Sequence, residues 1–353
     1  MNSEDPAAPS TPAATPSPPP PQNSLENDSF DATLSHLPEL HPSDLSSALA
    51  ADWIDEPPQR RRLLPLVLFL ATCASTFWVG ATRWEPIQPQ FLNSWRTVVQ
   101  VVQQPENWRR GLEYMAALVG ILLTHEMGHF FTTVRYGVPA SFPLFIPVPI
   151  NAIGTMGAVI GMDGLKANRR QIFDIGLAGP LAGLAVAIPV LWFGVKQLDL
   201  SPGAGRGEIE FYLPVVGQWM LRAAHPGVAW AGDKWIALSE INALFMAGWV
   251  GMLITGLNML PISQLDGGHV LYALFRRKSH LLVQYFITLA ILYVVVNLDE
   301  AILWTPMLLL VIFLGIHHPP TANDRIPLGP VRWVIGLASL AIPVLCFPLL
   351  GLR

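Results

Sequence analysis

The chain has 353 residues, of which 52% are hydrophobic and only 13% charged. A soluble domain carries about 25% charged residues, so this balance, with a mean hydropathy of +0.42, excludes an ordinary soluble globule and points to several membrane-spanning segments. The formal net charge of -4, with no basic patch interleaved with aromatics, excludes a nucleic-acid partner.

Residues 1–59 contain PAAPSTPAATPSPPPPQ and carry an acidic, low-complexity composition. Such a segment cannot bury a core, so a disordered, Pro-rich cytoplasmic tail is expected, acting as a tether or a partner ligand. It holds no apolar stretch, so the first apolar segment is expected to serve as the targeting signal. Arg60, Arg61 and Arg62 precede that segment, 63–82, and predict a cytoplasmic N-terminus. An external loop with Trp84, Trp95 and Trp108 leads to a second span at 111–134, which carries HEMGH toward its cytoplasmic end.

Residues 137–165 are apolar, but Pro139, Pro143, Pro147 and Pro149 forbid a straight helix. Irregular backbone at membrane depth must be covered by protein or line a cavity, so a re-entrant loop or short hairpin beside the second span is expected. A third span at 172–195 contains Gly176, Gly179 and Gly183, a small-residue pattern that permits close helix approach. In the loop 196–235, YLPVVGQWMLRAAH reads equally as an interfacial helix or a connector. A fourth span, 236–257, ends where Pro261 breaks it. Spans at 281–298 and 301–316 form a tight hairpin about Asp299 and Glu300. HHPPTANDR (317–325) is a cytoplasmic loop before a last span at 331–351. The expectation is an all-α polytopic membrane protein with about seven transmembrane helices and a re-entrant β-hairpin-like loop. Residues 60–353 form one domain with its core at 110–275.

The chemistry concentrates in HEMGH. On a helix, residues i and i+4 share a face, so His125 and His129 point at one spot and can hold one metal ion. Glu126 lies beside them, within reach of water at that metal. So polar a cluster is costly inside a bilayer, which makes a functional site the default reading. A catalytic zinc takes three protein ligands, and the sequence offers two candidates for the third, Asp266 and His269. Spacing does not separate them. A carboxylate between Leu265 and Gly267, in a stretch heading into the membrane, needs a partner, and that favours Asp266. The two cysteines, Cys73 and Cys346, fall in separate apolar segments and build neither a disulfide framework nor a cysteine-type zinc site. His317 and His318 read as solvated loop residues; His36, His41, His225 and His280 read as surface residues.

HEMGH in one span and NMLPISQLDGG in a later one resemble the paired signatures of the site-2 protease family of intramembrane zinc metalloproteases. Asn258, Pro261, Leu265, Asp266 and Gly267 match the second signature position by position. The resemblance implies Zn2+ held by His125, His129 and Asp266, with Glu126 as general base. It implies that Asn258 hydrogen-bonds the substrate backbone or the oxyanion. It also implies that the hairpin, with Asn151, Gly154 and Gly157, binds an extended substrate by strand addition. The expected partners are transmembrane protein substrates and the lipid bilayer, in a bacterial cell membrane. The oligomeric state stays open. Two other readings compete: a metal-binding transporter, and an inactive protease-like scaffold.

Overall fold

The computed structural model describes residues 63–87, 94–162, 164–200, 209–226, 235–262, 264–301, 304–314 and 321–352. The tail 1–59, the Arg60–Arg62 triplet and the His317–His318 pair lie outside the described residues. The described residues are mostly helical: α1 (Leu63–Ala81), α2 (Trp95–Gln103), α3 (Pro105–Arg135), α4 (Arg169–Lys196), α5 (Val215–Ala224), α6 (Ala243–Asn258), α7 (Asp266–Phe275), α8 (Ser279–Val296), α9 (Thr305–Leu314), α10 (Pro330–Ser339) and α11 (Ile342–Cys346). Strands β1 (Leu144–Val148) and β2 (Gly154–Val159) form one antiparallel hairpin, and β3 (Glu210–Tyr212) pairs with β4 (Trp235–Ala237).

Three helical runs are long and apolar enough to cross a membrane: α1, α4 and Asp266–Val296. In the last, a 3-10 turn at Arg276–Lys278 joins α7 to α8. Ala243–Asn258 and Pro330–Cys346 are apolar but shorter. Exposed Leu66, Val67 and Leu70 on α1, and Leu289, Leu292 and Val295 on α8, face outward as lipid-facing positions do. The protein is therefore membrane-associated.

α3 starts with Pro105 at its first turn, where the missing N–H is no loss, and Glu106 beside it. Arg109 bridges Glu106 and Glu113 at i,i+3 and i,i+4 spacing. α1 and α3 cross at glycines: a Cβ on Gly111 would meet the Phe77 carbonyl oxygen at 2.8 Å, and one on Gly80 would meet Tyr114 Cβ at 2.8 Å. The same logic joins α4 to α6, where a Cβ on Gly248 would lie 2.6 Å from Leu191 Cα. α4 begins with a complete capping box, the Asn168 side chain accepting from Gln171 N and the Gln171 side chain accepting from Asn168 N. It continues through Pro180 and Pro189 as one helix.

Several boundaries differ from the sequence reading. The expected external loop contains α2, and α3 begins at Pro105, so Trp95 and Trp108 are helical. The segment expected to span from 236 pairs first as β4, and α6 starts only at Ala243. Asn242 enforces this start: its side chain accepts from Phe245 N at 2.9 Å and donates to the Gly194 carbonyl at 2.8 Å. The segment 331–351 is divided, α10 ending at Ser339 and α11 beginning at Ile342, with Pro343 and Pro348 limiting the second piece. The ambiguous YLPVVGQWMLRAAH contains a helix, α5. His225, read as a surface residue, sits half-buried with Nε2 2.8 Å from the Val195 carbonyl oxygen.

The hairpin carries a bulge. Phe145 pairs with Ala158 and Pro147 with Thr155, so β2 spends one extra residue between these pairs. Gly157 takes up the slack at φ +91, a conformation that favours glycine. The turn is held from two helices. Ser75 Oγ of α1 donates to the Gly154 carbonyl at 2.6 Å, and Tyr114 Oη of α3 donates to the Ile153 carbonyl at 2.9 Å.

Candidate metal centre

Two helices carry the converging side chains. α3 supplies His125 and His129, one turn apart on its inner face, with Glu126 next to the first; His125 and Glu126 are buried. α7 supplies Asp266 at its first residue. Met259, Leu260 and Ile262 close tight turns behind Pro261, and a new helix starts at Asp266. A carboxylate in the first turn of a helix faces the positive end of its dipole. Gly267 makes the turn possible, because a Cβ there would overlap the Met259 carbonyl.

His125 Nε2 and His129 Nε2 lie 3.2 Å apart, and Asp266 Oδ2 stands 3.3 Å from the first and 3.2 Å from the second. The triangle is nearly equilateral. Tetrahedral zinc, bonded at about 2.0–2.1 Å, keeps its ligand atoms roughly 3.3 Å apart, so the donor set has the right chemistry and size for this ion. Among the described residues these are the only three His, Cys, Asp or Glu side chains that converge in this way. His269, the other candidate ligand, lines the same cavity but is outside the converging set.

The backing of the histidines comes from α4, and its signal in the sequence is easily misread. His129 Nδ1 lies 2.8 Å from the Ile175 carbonyl oxygen, to which it donates when its Nε2 is free to ligate. A main-chain acceptor of this kind leaves no mark in the sequence. Gly176, Gly179 and Gly183 read as a helix-packing pattern, yet they face the centre's imidazoles. A Cβ on Gly183 would lie 3.1 Å from His125 Nδ1, one on Gly176 2.8 Å from His269 Cβ, and one on Gly179 would overlap His129 Nε2 outright.

His125, Glu126, His129 and Asp266 share a cavity of about 220 Å³ with Asn258 and Gln264. The Asn258 amide nitrogen is 3.3 Å from His125 Nε2. The end of the hairpin, Ala158 to Ile160, forms part of the wall. The other expected substrate-binding residues sit elsewhere. Asn151 shapes the turn, its Oδ1 accepting from Ile153 N at 3.1 Å and Gly154 N at 2.6 Å. Gly154 packs on α1, where a Cβ would come within 2.9 Å of Thr76 Cα at φ +87. Gly157 forms the bulge. Neither Asn151, Gly154 nor Gly157 is among the residues lining the cavity.

Residues 113–298, just over half of the chain, match the model of Peptidase family M50. The chain is 29% identical over 225 residues to "Probable zinc metalloprotease EGY1, chloroplastic" of Arabidopsis thaliana, covering 62% of this chain and 40% of that protein. It is 30% identical over 227 residues to the protein of the same name from Oryza sativa subsp. japonica, covering 62% and 38%. To "Probable zinc metalloprotease EGY2, chloroplastic" of Arabidopsis thaliana it is 30% identical over 172 residues, covering 45% and 28%. The chain thus spans about two fifths, or less, of these relatives.

Proposed function

Because the chain belongs to Peptidase family M50, the site-2 protease family, we propose that it is an intramembrane zinc metalloprotease. It hydrolyses peptide bonds in or near transmembrane segments of membrane proteins. The observation that carries this reading is the convergence of His125, His129 and Asp266 on one point, with Glu126 in the same buried cavity. A transporter needs no carboxylate directly beside its first ligand, and a dead scaffold need not keep one.

His125 and His129 would hold zinc through their Nε2 atoms and Asp266 through Oδ2. Bound there, zinc supplies a Lewis acid for the scissile carbonyl and makes water nucleophilic at neutral pH. Glu126 takes a proton from the attacking water and delivers it to the departing amine nitrogen. Asn258, at the cavity wall, donates its amide to the oxygen of the attacked carbonyl. Ile175 holds the His129 ring in the tautomer that leaves Nε2 free.

A transmembrane helix hides its peptide bonds in internal hydrogen bonds, so cleavage requires local unwinding. The hairpin edge near Val159 offers replacement bonds to an unwound segment. Asn151, Gly154 and Gly157 serve this indirectly, through the shape of the turn and bulge. The hairpin is re-entrant in this proposal, and the chain crosses the membrane about seven times. α3 contributes one crossing, with His125, Glu126 and His129 lowering the hydropathy of its apolar stretch. The tail 1–59 is a cytoplasmic tether, an orientation supported by the Arg60–Arg62 triplet before α1. The setting is a bacterial cell membrane; the word chloroplastic in the relatives' names describes those proteins.

The test compares wild type with Glu126→Gln in detergent, measuring zinc content and cleavage of a model transmembrane peptide. We expect one zinc per chain in both and cleavage reduced at least about 100-fold in the variant. Equal cleavage by the two proteins would falsify the role of Glu126, and wild type without zinc would sink the mechanism.

A further inference from the structure

Asp174 of α4 directly precedes Ile175, the residue whose carbonyl faces His129 Nδ1. Its carboxylate is gripped from the C-terminal part of the chain. Arg332 of α10 donates from Nε to Oδ1 and from Nη2 to Oδ2, both at 2.8 Å. The Tyr136 hydroxyl, just past the end of α3, donates to the same Oδ2. A two-pronged arginine–carboxylate pair fixes orientation as well as distance. Asp174 therefore joins the end of the histidine helix to the start of the helix that backs it, and Arg332 fixes that junction to α10.

A second node lies at Asp324. Its Oδ2 accepts from the Tyr272 hydroxyl of α7 at 2.8 Å, its Oδ1 from Thr321 at 2.7 Å, and its carbonyl from Arg276 Nε at 3.1 Å. The helix that begins with Asp266 is thereby tied down at its far end. On either side of Asp324, the loop is stitched to the segment that enters α4 and to its first turn. Ala322 N donates to the Ala167 carbonyl at 2.9 Å, and Arg170 Nη2 donates to the Pro327 carbonyl at 3.0 Å. Tyr136 stands seven residues beyond His129 and Tyr272 six beyond Asp266, so each node acts on its ligand through about 10 Å of helix.

We propose that residues 321–332, which lie outside the stretch matched by the family, are a positioning clamp for the metal centre. Through Arg332–Asp174 and Asp324–Tyr272 the clamp sets the separation of α3, α4 and α7, and with it the distance between His129 Nε2 and Asp266 Oδ2. The proposal rests on the reading of His125, His129 and Asp266 as metal ligands. Arg332 and Asp324 touch neither metal nor substrate; they act through the helices they hold.

The experiment uses the full chain in detergent, wild type beside Arg332→Gln, Arg332→Lys and Asp324→Asn. Zinc affinity is read by chelator competition, ligand geometry by the visible absorption of the cobalt(II) form, and folding by circular dichroism. We expect Arg332→Gln to weaken zinc binding about 10- to 100-fold and to alter the cobalt spectrum in folded protein. Arg332→Lys, which keeps the charge and loses the fork, should recover only part of the affinity. Asp324→Asn should move both readouts in the same direction, and it decides the matter if Arg332→Gln does not fold. Wild-type zinc affinity and an unchanged cobalt spectrum in the folded variants would overturn the clamp. Cleavage by wild type is scored separately. If wild type holds zinc but cleaves nothing, the protease reading fails and the metal readouts still decide the clamp. If wild type holds no zinc, both fall.

Discussion

α4 and the run through α7 and α8 have the same mean hydropathy over their most apolar windows, 1.9, yet 44% of the α4 window is buried against 11% of the other. Composition alone makes them equivalent membrane helices. What separates α4 from α8 is glycine, which α8 lacks. α4 places Gly176, Gly179 and Gly183 toward the centre and packs Leu191 against Gly248 of α6, so neighbouring backbones and imidazoles approach it closely. α8 carries Leu289, Leu292 and Val295 outward and buries only Ser279 and Val283. In lipid there is no hydrophobic drive to bring two apolar helices together, so close packing of small residues does that work. Hydropathy predicts which segments enter a membrane, and the small residues predict which of them meet.

The sharpest way to break this comparison is Gly179→Ala. Its Cβ would occupy the place of His129 Nε2, so zinc binding and cleavage should both be lost, read by metal content and peptide hydrolysis; full zinc occupancy would show that the contact is soft. Next is Gly248→Ala, whose Cβ meets the Leu191 backbone. Overpacking there should cost about 1–3 kcal/mol in micelle unfolding. A smaller effect is expected at the hairpin turn. Ser75→Ala removes the hydrogen bond to the Gly154 carbonyl, worth about 1 kcal/mol, and should raise KM a few-fold with kcat unchanged. A fall in kcat alone would place the effect at the centre instead. Last, Val295→Ala on the outer face of α8 should stay within about 0.5 kcal/mol of wild type, and a larger loss would mean that this face has a protein partner.

Much of the centre was legible in the sequence. HEMGH put two imidazoles on one helical face, and Pro261 with Gly267 marked the break that lets Asp266 return toward them. The prolines at 139–149 ruled out a straight helix, and the segment they interrupt forms β1 and β2. Spacing left Asp266 and His269 undecided, because both sit in the first turn of α7 and only the rotation of that helix separates them. The family resemblance assigned Asn151, Gly154 and Gly157 to substrate binding by the hairpin. In the structure Asn151 hydrogen-bonds within the turn, Gly154 packs on α1 at φ +87, and Gly157 takes the bulge at φ +91.

The sequence by itself determined the local terms: apolar periods long enough for membrane helices, two imidazoles four residues apart, and helix breaks at proline. These depend on neighbours within a few residues, and the side chains express them wherever the segment lies. The tertiary structure alone decided that the Ile175 carbonyl faces His129, that α4 glycines make room for the histidines, and that Arg332 reaches Asp174 across 158 positions. Each of these joins a main-chain atom or a common side chain to a distant partner. No local pattern records such a pairing, because it exists only once the helices are packed.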